Sequence, residues 1–372
     1  MTEASSTTSH LFVVMTTTQP EVTQAAGENS VTSSLLYDAG FYFECAIIAL
    51  GMIGAAANAL IIYAMVASKQ HKKQALIVNQ NVLDLTSCLF AAVIYSLKIC
   101  NISLNGLRGY WLCMMLLSEN LLWFAIDGSI INLAIITIER YLKVVHHVWS
   151  KKKLRKWMIY TSMAFPWVIS FVYNMALSFT TSAVIDGVCY GVVVWENHVA
   201  KIVHGVWHFL TFYAIILLIF IFCYGRILAV IRRQARVMAG HSRSTGAGTA
   251  QPSAAQAQTN QIQSNVIKTM IIVCAFFAVA WLPENVYYVL VELDDKRTFF
   301  ETGYYAVVFV SFLYICTNPF IYAAKLDPVK RSLLSLIACN KNEQPSPDTI
   351  EVSGPTTRNV QKRNPQAQTS AT

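Results

Sequence analysis

The chain has 372 residues, 55% of them hydrophobic and only 13% charged, with a formal net charge of +8. A soluble globular protein carries roughly 25% charge, so this composition excludes an ordinary water-exposed surface and points to lipid as the solvent. The basic residues fall in short clusters between apolar blocks, with no basic face and no interleaved aromatics, which excludes nucleic acid as a partner.

Residues 1–40 are rich in Thr, Ser and Ala and contain no Lys or Arg, so they are expected to form a disordered tail. They lack the basic start and apolar core of a cleavable signal, so the first helix is expected to direct its own insertion. Seven apolar stretches follow, at about 41–67, 76–99, 112–145, 156–178, 202–231, 262–292 and 301–324. Each meets the ~20 residues needed to cross a ~30 Å hydrocarbon core. The fold class is therefore all-α membrane, a seven-transmembrane-helix bundle over 41–324. The long third, fifth and sixth stretches imply tilt or extension beyond the bilayer. The cysteines inside these stretches (Cys45, Cys88, Cys223, Cys274, Cys316) read as small apolar residues.

Of the 28 Lys and Arg residues, 23 fall on the side that holds the loops after the first, third and fifth stretches and the C-terminal tail. Basic residues are retained in the cytoplasm during insertion, so the amino terminus is expected outside and the protein in the plasma membrane. The third cytoplasmic loop, Ser244 to Gln263, is too polar to fold alone, and so is the tail over 340–372. Between the last span and that tail, Asp327-Pro328 reads as a helix start. Val329, Leu333, Leu336 and Ile337 then share one face against Lys330 and Arg331, which predicts a short amphipathic eighth helix on the membrane surface over 325–339. Cys339 at its end is a lipidation candidate, and Asn101-Ile102-Ser103 is a candidate glycosylation site.

Ionisable groups inside hydrocarbon cost at least ~2.5–3.5 kcal/mol each, so the few present are the first places to seek function. They are Asp84, Glu119, Asp127, the Glu139-Arg140 pair and Glu284, each of which could also be a structural group bonded to a neighbouring helix. Asn58, Asp84, Ser129 and Asn318 lie at mid-depth of different stretches and could converge on a small cation or a water cluster. Pro283 after Trp281, and Pro319 within Asn318-Pro319-Phe320-Ile321-Tyr322, each remove a backbone donor and predict kinks in the sixth and seventh helices. Such kinks would let the cytoplasmic halves swing.

These residues together resemble the rhodopsin-like (class A) G-protein-coupled receptors. The resemblance rests on Glu139-Arg140-Tyr141, Asn318 to Tyr322, Trp281-Leu282-Pro283, Asn58, Asn79 to Asp84, Trp167 and Tyr224, in order across about 41–339. It implies that Arg140 leaves Glu139 on activation to receive the G protein, that Tyr224 and Tyr322 steady the open state, and that Trp281 reports ligand occupancy. It also implies a sodium ion at Asp84, Ser129 and Asn318, and a disulfide between Cys113 and Cys189. The sequence departs from the family at Ala280, at Ile216 where a proline is common, at Tyr314 in the sodium pocket, and at Gln263, where an acid often latches the arginine. Cys113 also lies two residues too far from Arg140, which a bulge or a longer helix start could absorb.

The family's pocket positions carry Leu122, His208, Phe212, Glu284, Asn285, Tyr304 and Val308. Leu122 replaces the acid of amine receptors and Phe312 the retinal-linking lysine of opsins, which argues against both ligand classes. Glu44, Glu119, Asp186, Glu196, Glu284, Glu292, Asp294, Asp295 and Glu301 make the outer side acidic, so a basic peptide or other cationic ligand is expected near Glu284 and Glu119. Acids that merely solvate loops are the alternative, as is a small-molecule or lipid ligand. Heterotrimeric G protein and membrane lipid are the expected inner partners. A transporter or channel would need inverted repeats or an ionisable pathway. An enzyme would need a motif such as HExxH, GxSxG or a Walker sequence. None of these is present, so no catalytic residues are expected.

Overall fold

The computed structural model describes residues 29–100, 102–191, 198–244, 254–293, 301–325, 329–332 and Leu334. Among these, seven helices are long and apolar enough to cross a membrane: Ala39–Ala67, Ala75–Ile99, Gly106–Val145, Lys156–Thr181, Ile202–Gln234, Ser264–Leu290 and Gly303–Lys325. They are called here the first to seventh spans. Hydrocarbon offers no partner to an open N–H or C=O, so an apolar segment in it satisfies its backbone internally, as a helix.

Burial runs opposite to that of a soluble protein. Leu60, Val172, Leu218, Ile221, Val279 and Phe320 are all more than half exposed, whereas Asn58, Asp84, Asn132 and Asn318 are fully buried. The third span packs against the second, fourth, fifth and sixth, and the first against the second and seventh. Close approach there depends on small residues. A Cβ on Gly51 would lie 2.8 Å from the Cys88 carbonyl oxygen, and one on Gly54 would lie 2.6 Å from the sulfurs of both Cys88 and Cys316.

Two spans are interrupted near one end. The third runs as an α-helix over Gly106–Leu112, widens to a π turn over Cys113–Leu117, breaks, and resumes over Asn120–Val145. At the break Glu119 adopts a left-handed conformation, φ 61°. The fifth contains a second π turn at Phe209–Ala214, although Ile216 and not a proline stands beside it. A π turn inserts one extra residue and rotates the side chains beyond it. Here it directs Tyr213 at the sixth span, where its hydroxyl donates to the Ala278 carbonyl at 2.8 Å.

After the fourth span, strands Ala183–Ile185 and Val188–Tyr190 pair antiparallel, with Val184 opposite Cys189. Asp186 (φ 53°) and Gly187 (φ 78°) form the two-residue turn between them. Left-handed backbone at both central positions matches the right-handed twist of a tight hairpin.

Three expected boundaries are corrected. The first helix begins at Asn29, inside the segment read as a disordered tail. The fifth extends to Ser244 and the sixth begins at Ala254, so helix enters both ends of the loop read as unfolded. Extending an existing helix needs no new nucleus and adds one bond per residue fixed, so a polar composition alone does not end it. Beyond Lys325, only Val329 to Ser332 and Leu334 of the segment expected to form an eighth helix are described; these are helical, with Val329 buried against the core, and they do not by themselves establish the helix. Its Asp327-Pro328 start, Leu333, Leu336, Ile337 and Cys339 lie outside the described residues, as do Asn101, the segment 1–28 and the tail over 340–372.

The tight fit at Gly54 gives a test. Gly54→Val should overpack the contact between the first, second and seventh spans and lower stability by ~1–3 kcal/mol. An unchanged unfolding midpoint of the detergent-solubilised protein would show that these helices are not in close contact.

Candidate ligand site and candidate switch

Cys113 and Cys189 form a disulfide with a Cα–Cα distance of 5.3 Å. It ties the third span to the hairpin, and Leu104, Leu117, Leu97 and Val184 pack around it. The two-residue excess between Cys113 and Arg140 is taken up by the π turn and the left-handed break at Glu119, so the bulge expected from sequence is present.

Glu119 corrects the sequence reading. Its carboxylate is not an open anionic wall: it pairs with Lys98 of the second span, and both side chains are buried. Its second oxygen accepts from Trp123 Nε1 at 3.2 Å. The Lys98 ammonium also sits 4.7 Å from the Tyr95 ring centre, where the ring quadrupole favours a cation. Lys98 is thus a site residue that sequence reasoning counted only as an outer-side charge. The available signal was a lysine at the end of an apolar stretch, which a snorkelling side chain explains equally well.

The other expected pocket residues divide between two walls. His208 and Phe212 of the fifth span join Tyr173, His204 and Tyr288 in an aromatic cluster, with His208 Nδ1 3.3 Å from the Tyr173 hydroxyl and its ring 4.9 Å from Phe212. Tyr304 lies 5.8 Å from Tyr287 on the opposite wall, where Tyr305 stacks on Phe43. Leu122 and Val308 are buried within the core between these walls. Asn285 Nδ2 donates to the Trp281 carbonyl at 2.9 Å, so that amide is engaged within its own helix beside Pro283. Glu284 is half-buried, and among the described residues the ion pairs are Lys98–Glu119, Arg140–Glu139 and Lys143–Glu139, none of which involves it.

At mid-depth Asp84 gathers three helices. Its Oδ1 accepts from Ser129 at 2.5 Å and from Gln80 at 3.3 Å, and its Oδ2 accepts from Asn318 at 3.0 Å. Asn58 does not join them. It donates to its own Gly54 carbonyl at 3.0 Å, because its place on the first span lets it reach back one turn. Asp127 takes its structural alternative, accepting from Asn174 of the fourth span at 2.9 Å.

Above the switch, Trp281 packs edge-on and tilted among Phe277, Tyr314 and Trp123, with ring centres 6.2–6.5 Å away. The hydroxyls of Tyr314 and Tyr322 and the Trp281 indole nitrogen are buried without a partner among the described residues. At the end far from the disulfide, Arg140 Nε lies 3.2 Å from Glu139, whose other oxygen pairs with Lys143. Tyr224 joins three spans, its hydroxyl 3.3 Å from Thr137 Oγ1 and 3.8 Å from Cys274 Sγ. Tyr141 faces outward, with its hydroxyl 3.3 Å from His146 and its ring against Phe222.

Seven spanning helices, a loop pinned by a disulfide at one end, prolines in the sixth and seventh helices and an arginine held at the other end are the arrangement of a seven-helix membrane protein. The family model described as 7 transmembrane receptor (rhodopsin family) matches residues 57–322, and the chain belongs to that family. It is a multi-pass membrane protein with G-protein-coupled receptor activity, and the transporter or channel alternative is set aside. The chain is similar to galanin receptor type 1 of Mus musculus, at 23% identity over 82% of this chain and 83% of the relative. It is also similar to neuropeptide Y receptor type 2 of Homo sapiens, at 24% over 86% and 81%, and to somatostatin receptor type 5 of Rattus norvegicus, at 24% over 78% and 76%.

The buried pair at the outer end makes a distinctive stability prediction. Lys98→Met strands a buried carboxylate and should cost ~3–5 kcal/mol, whereas Lys98→Met with Glu119→Leu removes both charges and should recover most of that loss. Thermal unfolding of the three proteins decides it; a single variant as stable as the parent would mean that the pair is not buried.

Proposed function

We propose that this receptor resides in the plasma membrane with its amino terminus outside, binds a basic peptide or other cationic ligand between its aromatic walls, and activates heterotrimeric G proteins by releasing Arg140. The observation that carries the ligand class is a shortage of positive charge. Among the described residues, three carboxyl groups of the outer half, Glu44, Glu119 and Glu284, are buried or half-buried, and against them stands one buried ammonium, Lys98, which pairs with Glu119. An incoming cation would find Glu119 already paired and Glu284 without an ion-pair partner among the described residues, so Glu284 is the residue assigned to the ligand's charged end. His208, Phe212 and Tyr304 would line the apolar remainder, and Leu122, Val308 and Asn285 would support them from behind. The similarity to receptors named for galanin, neuropeptide Y and somatostatin supports a peptide.

A ligand moves the equilibrium only through its different affinities for the two states. Trp281 lies between the pocket walls and the unpartnered Tyr314 hydroxyl, so a ligand pressing on Trp123 or Trp281 would favour another packing of the Pro283 kink. Each buried polar group without a partner costs ~1–3 kcal/mol. A state that meets the Tyr314 and Tyr322 hydroxyls would recover that cost. Swinging the sixth span outward would expose Arg140, free it from Glu139, and let Tyr224 and Tyr322 close on it. Lys143 already competes for Glu139, and Gln263 supplies no acid from the sixth helix, so basal activity is expected to be raised.

Nucleotide exchange on a panel of purified G proteins tests this reading. Membranes carrying the receptor should raise exchange without added ligand, Gln263→Glu should lower that basal rate, and Arg140→Ala should abolish it. Basic peptides should raise exchange further where acidic ones do not, and Glu284→Gln should weaken the active peptide by ~10-fold or more, about the 1.4 kcal/mol of one lost charge contact. Equal potency on the Glu284→Gln receptor would refute the ligand assignment, and equal exchange with and without Arg140 would refute the switch.

A further inference from the structure

The family resemblance places a sodium ion beside Asp84, but the residues there do not fit one. A hard cation takes oxygen lone pairs. The groups that bond Asp84 here are donors, and of their own side-chain oxygens Asn318 Oδ1 alone is buried without a partner among the described residues. Ser129 donates its hydroxyl hydrogen to Oδ1 at 2.5 Å, Asn318 its amide hydrogen to Oδ2 at 3.0 Å, and Gln80 its amide hydrogens to Oδ1 at 3.3 Å and, in a short contact, to Ser129 Oγ. Gln80 Nε2 therefore bonds the two oxygens, one from Asp84 and one from Ser129, that a cation between them would use.

A side-chain amide can be turned end for end, so the direction of Gln80 must follow from its partners. Those partners form a line that starts at a group with only one possible polarity. The Trp167 indole N–H, a donor and never an acceptor, reaches Asn79 Oδ1 at 3.1 Å. That leaves Asn79 Nδ2 to donate to Asn132 Oδ1 at 2.9 Å, and also to the Met163 carbonyl at 3.2 Å. Asn132 Nδ2 must then donate onward, to Gln80 Oε1 at 2.8 Å and to the Leu76 carbonyl at 3.1 Å. With its oxygen taken, Gln80 can present only N–H groups to Ser129 and Asp84. Backbone carbonyls, which only accept, fix both asparagines in the same sense. Turning any one amide would set donor against donor at one end and acceptor against acceptor at the other. Every member from Asn79 to Asp84 is buried, so water cannot readily repair such a mismatch.

We infer that Gln80 takes the place of the sodium ion, its amide held by a one-way relay from Trp167 so that N–H groups occupy the cation's position beside Asp84. The receptor is then insensitive to sodium by construction. Tyr314, in place of the asparagine that the family often uses there, is a second departure in the same site. The relay is independent of ligand class and of G-protein choice, so it stands or falls apart from the function proposed above.

The test uses the full-length receptor in lipid nanodiscs, unfolded thermally in sodium chloride and in an equal concentration of N-methyl-D-glucamine chloride. Unfolding is followed with a thiol-reactive dye on the buried cysteines Cys88, Cys223, Cys274 and Cys316. The parent should give the same midpoint in both salts. Gln80→Leu removes the amide and should gain a midpoint rise specific to sodium, which a further Asp84→Asn removes. Gln80→Met, closer in shape, is measured alongside in case the leucine variant does not fold. A sodium-specific rise in the parent that Asp84→Asn abolishes would overturn the inference. A parent indifferent to sodium whose folded Gln80 variants remain indifferent would overturn the role of Gln80 as well.

Discussion

A carboxyl group inside hydrocarbon cannot be left without donors, and the arrangement of this bundle follows from meeting that requirement at Asp84. A donor from the third span (Ser129), one from the seventh (Asn318) and one from its own helix (Gln80) converge on its two oxygens. Each interhelical hydrogen bond in a membrane contributes only ~0.6 kcal/mol on average, so no single one sets the packing. Their connection does. The line from Trp167 through Asn79, Asn132 and Gln80 to Asp84 and Asn318 crosses the fourth, third, second and seventh spans; sliding or rotating the second, third or fourth breaks more than one bond, and the seventh is joined to the line through Asn318. The close glycine contacts between the first, second and seventh spans fix the remaining side of this half.

The segments around this fixed centre are less regular. Toward the end that holds the disulfide, the third span carries a π turn and a left-handed break, and the fifth carries its own π turn. These irregularities place Cys113 for its disulfide, Glu119 for Lys98 and Tyr213 for the sixth span. The sixth helix contains Pro283, next to Glu284, and the seventh contains Pro319, and buried hydroxyls near the kinks have no partner among the described residues. A rigid polar centre among irregular and kinked helices suits a device in which contacts at one end bias two packings at the other.

Much of this was legible in the sequence because hydrocarbon imposes length and composition so strongly. All seven spans fall where the apolar stretches put them, and of the two explanations left open for the misfit of Cys113 against Arg140, a bulge or a longer helix start, a bulge is present. The misses have physical causes. A helix that starts in lipid continues past its apolar residues, so the ends at Asn29, Ser244 and Ala254 carried no compositional mark. Gln80 and Asn132 went unread although each sits one turn from a residue singled out, Asp84 and Ser129 respectively, and so shares its face. Lys98 was tallied as topology because an end-of-span lysine ordinarily reaches for water. Pairing between helices far apart in sequence, such as Lys98 with Glu119, leaves no local pattern to find.

The claim on which the account rests is that Asp84 and Asn318 meet directly and hold the second and seventh spans in register. A reciprocal exchange measures this contact: Asp84→Asn alone, Asn318→Asp alone, and the two together, compared by thermal unfolding of the purified receptor. The account predicts that each single variant loses stability, one by pairing two amides and the other by pairing two carboxyl groups, and that the exchanged pair regains a substantial part of the loss. Losses that simply add in the double variant would contradict it.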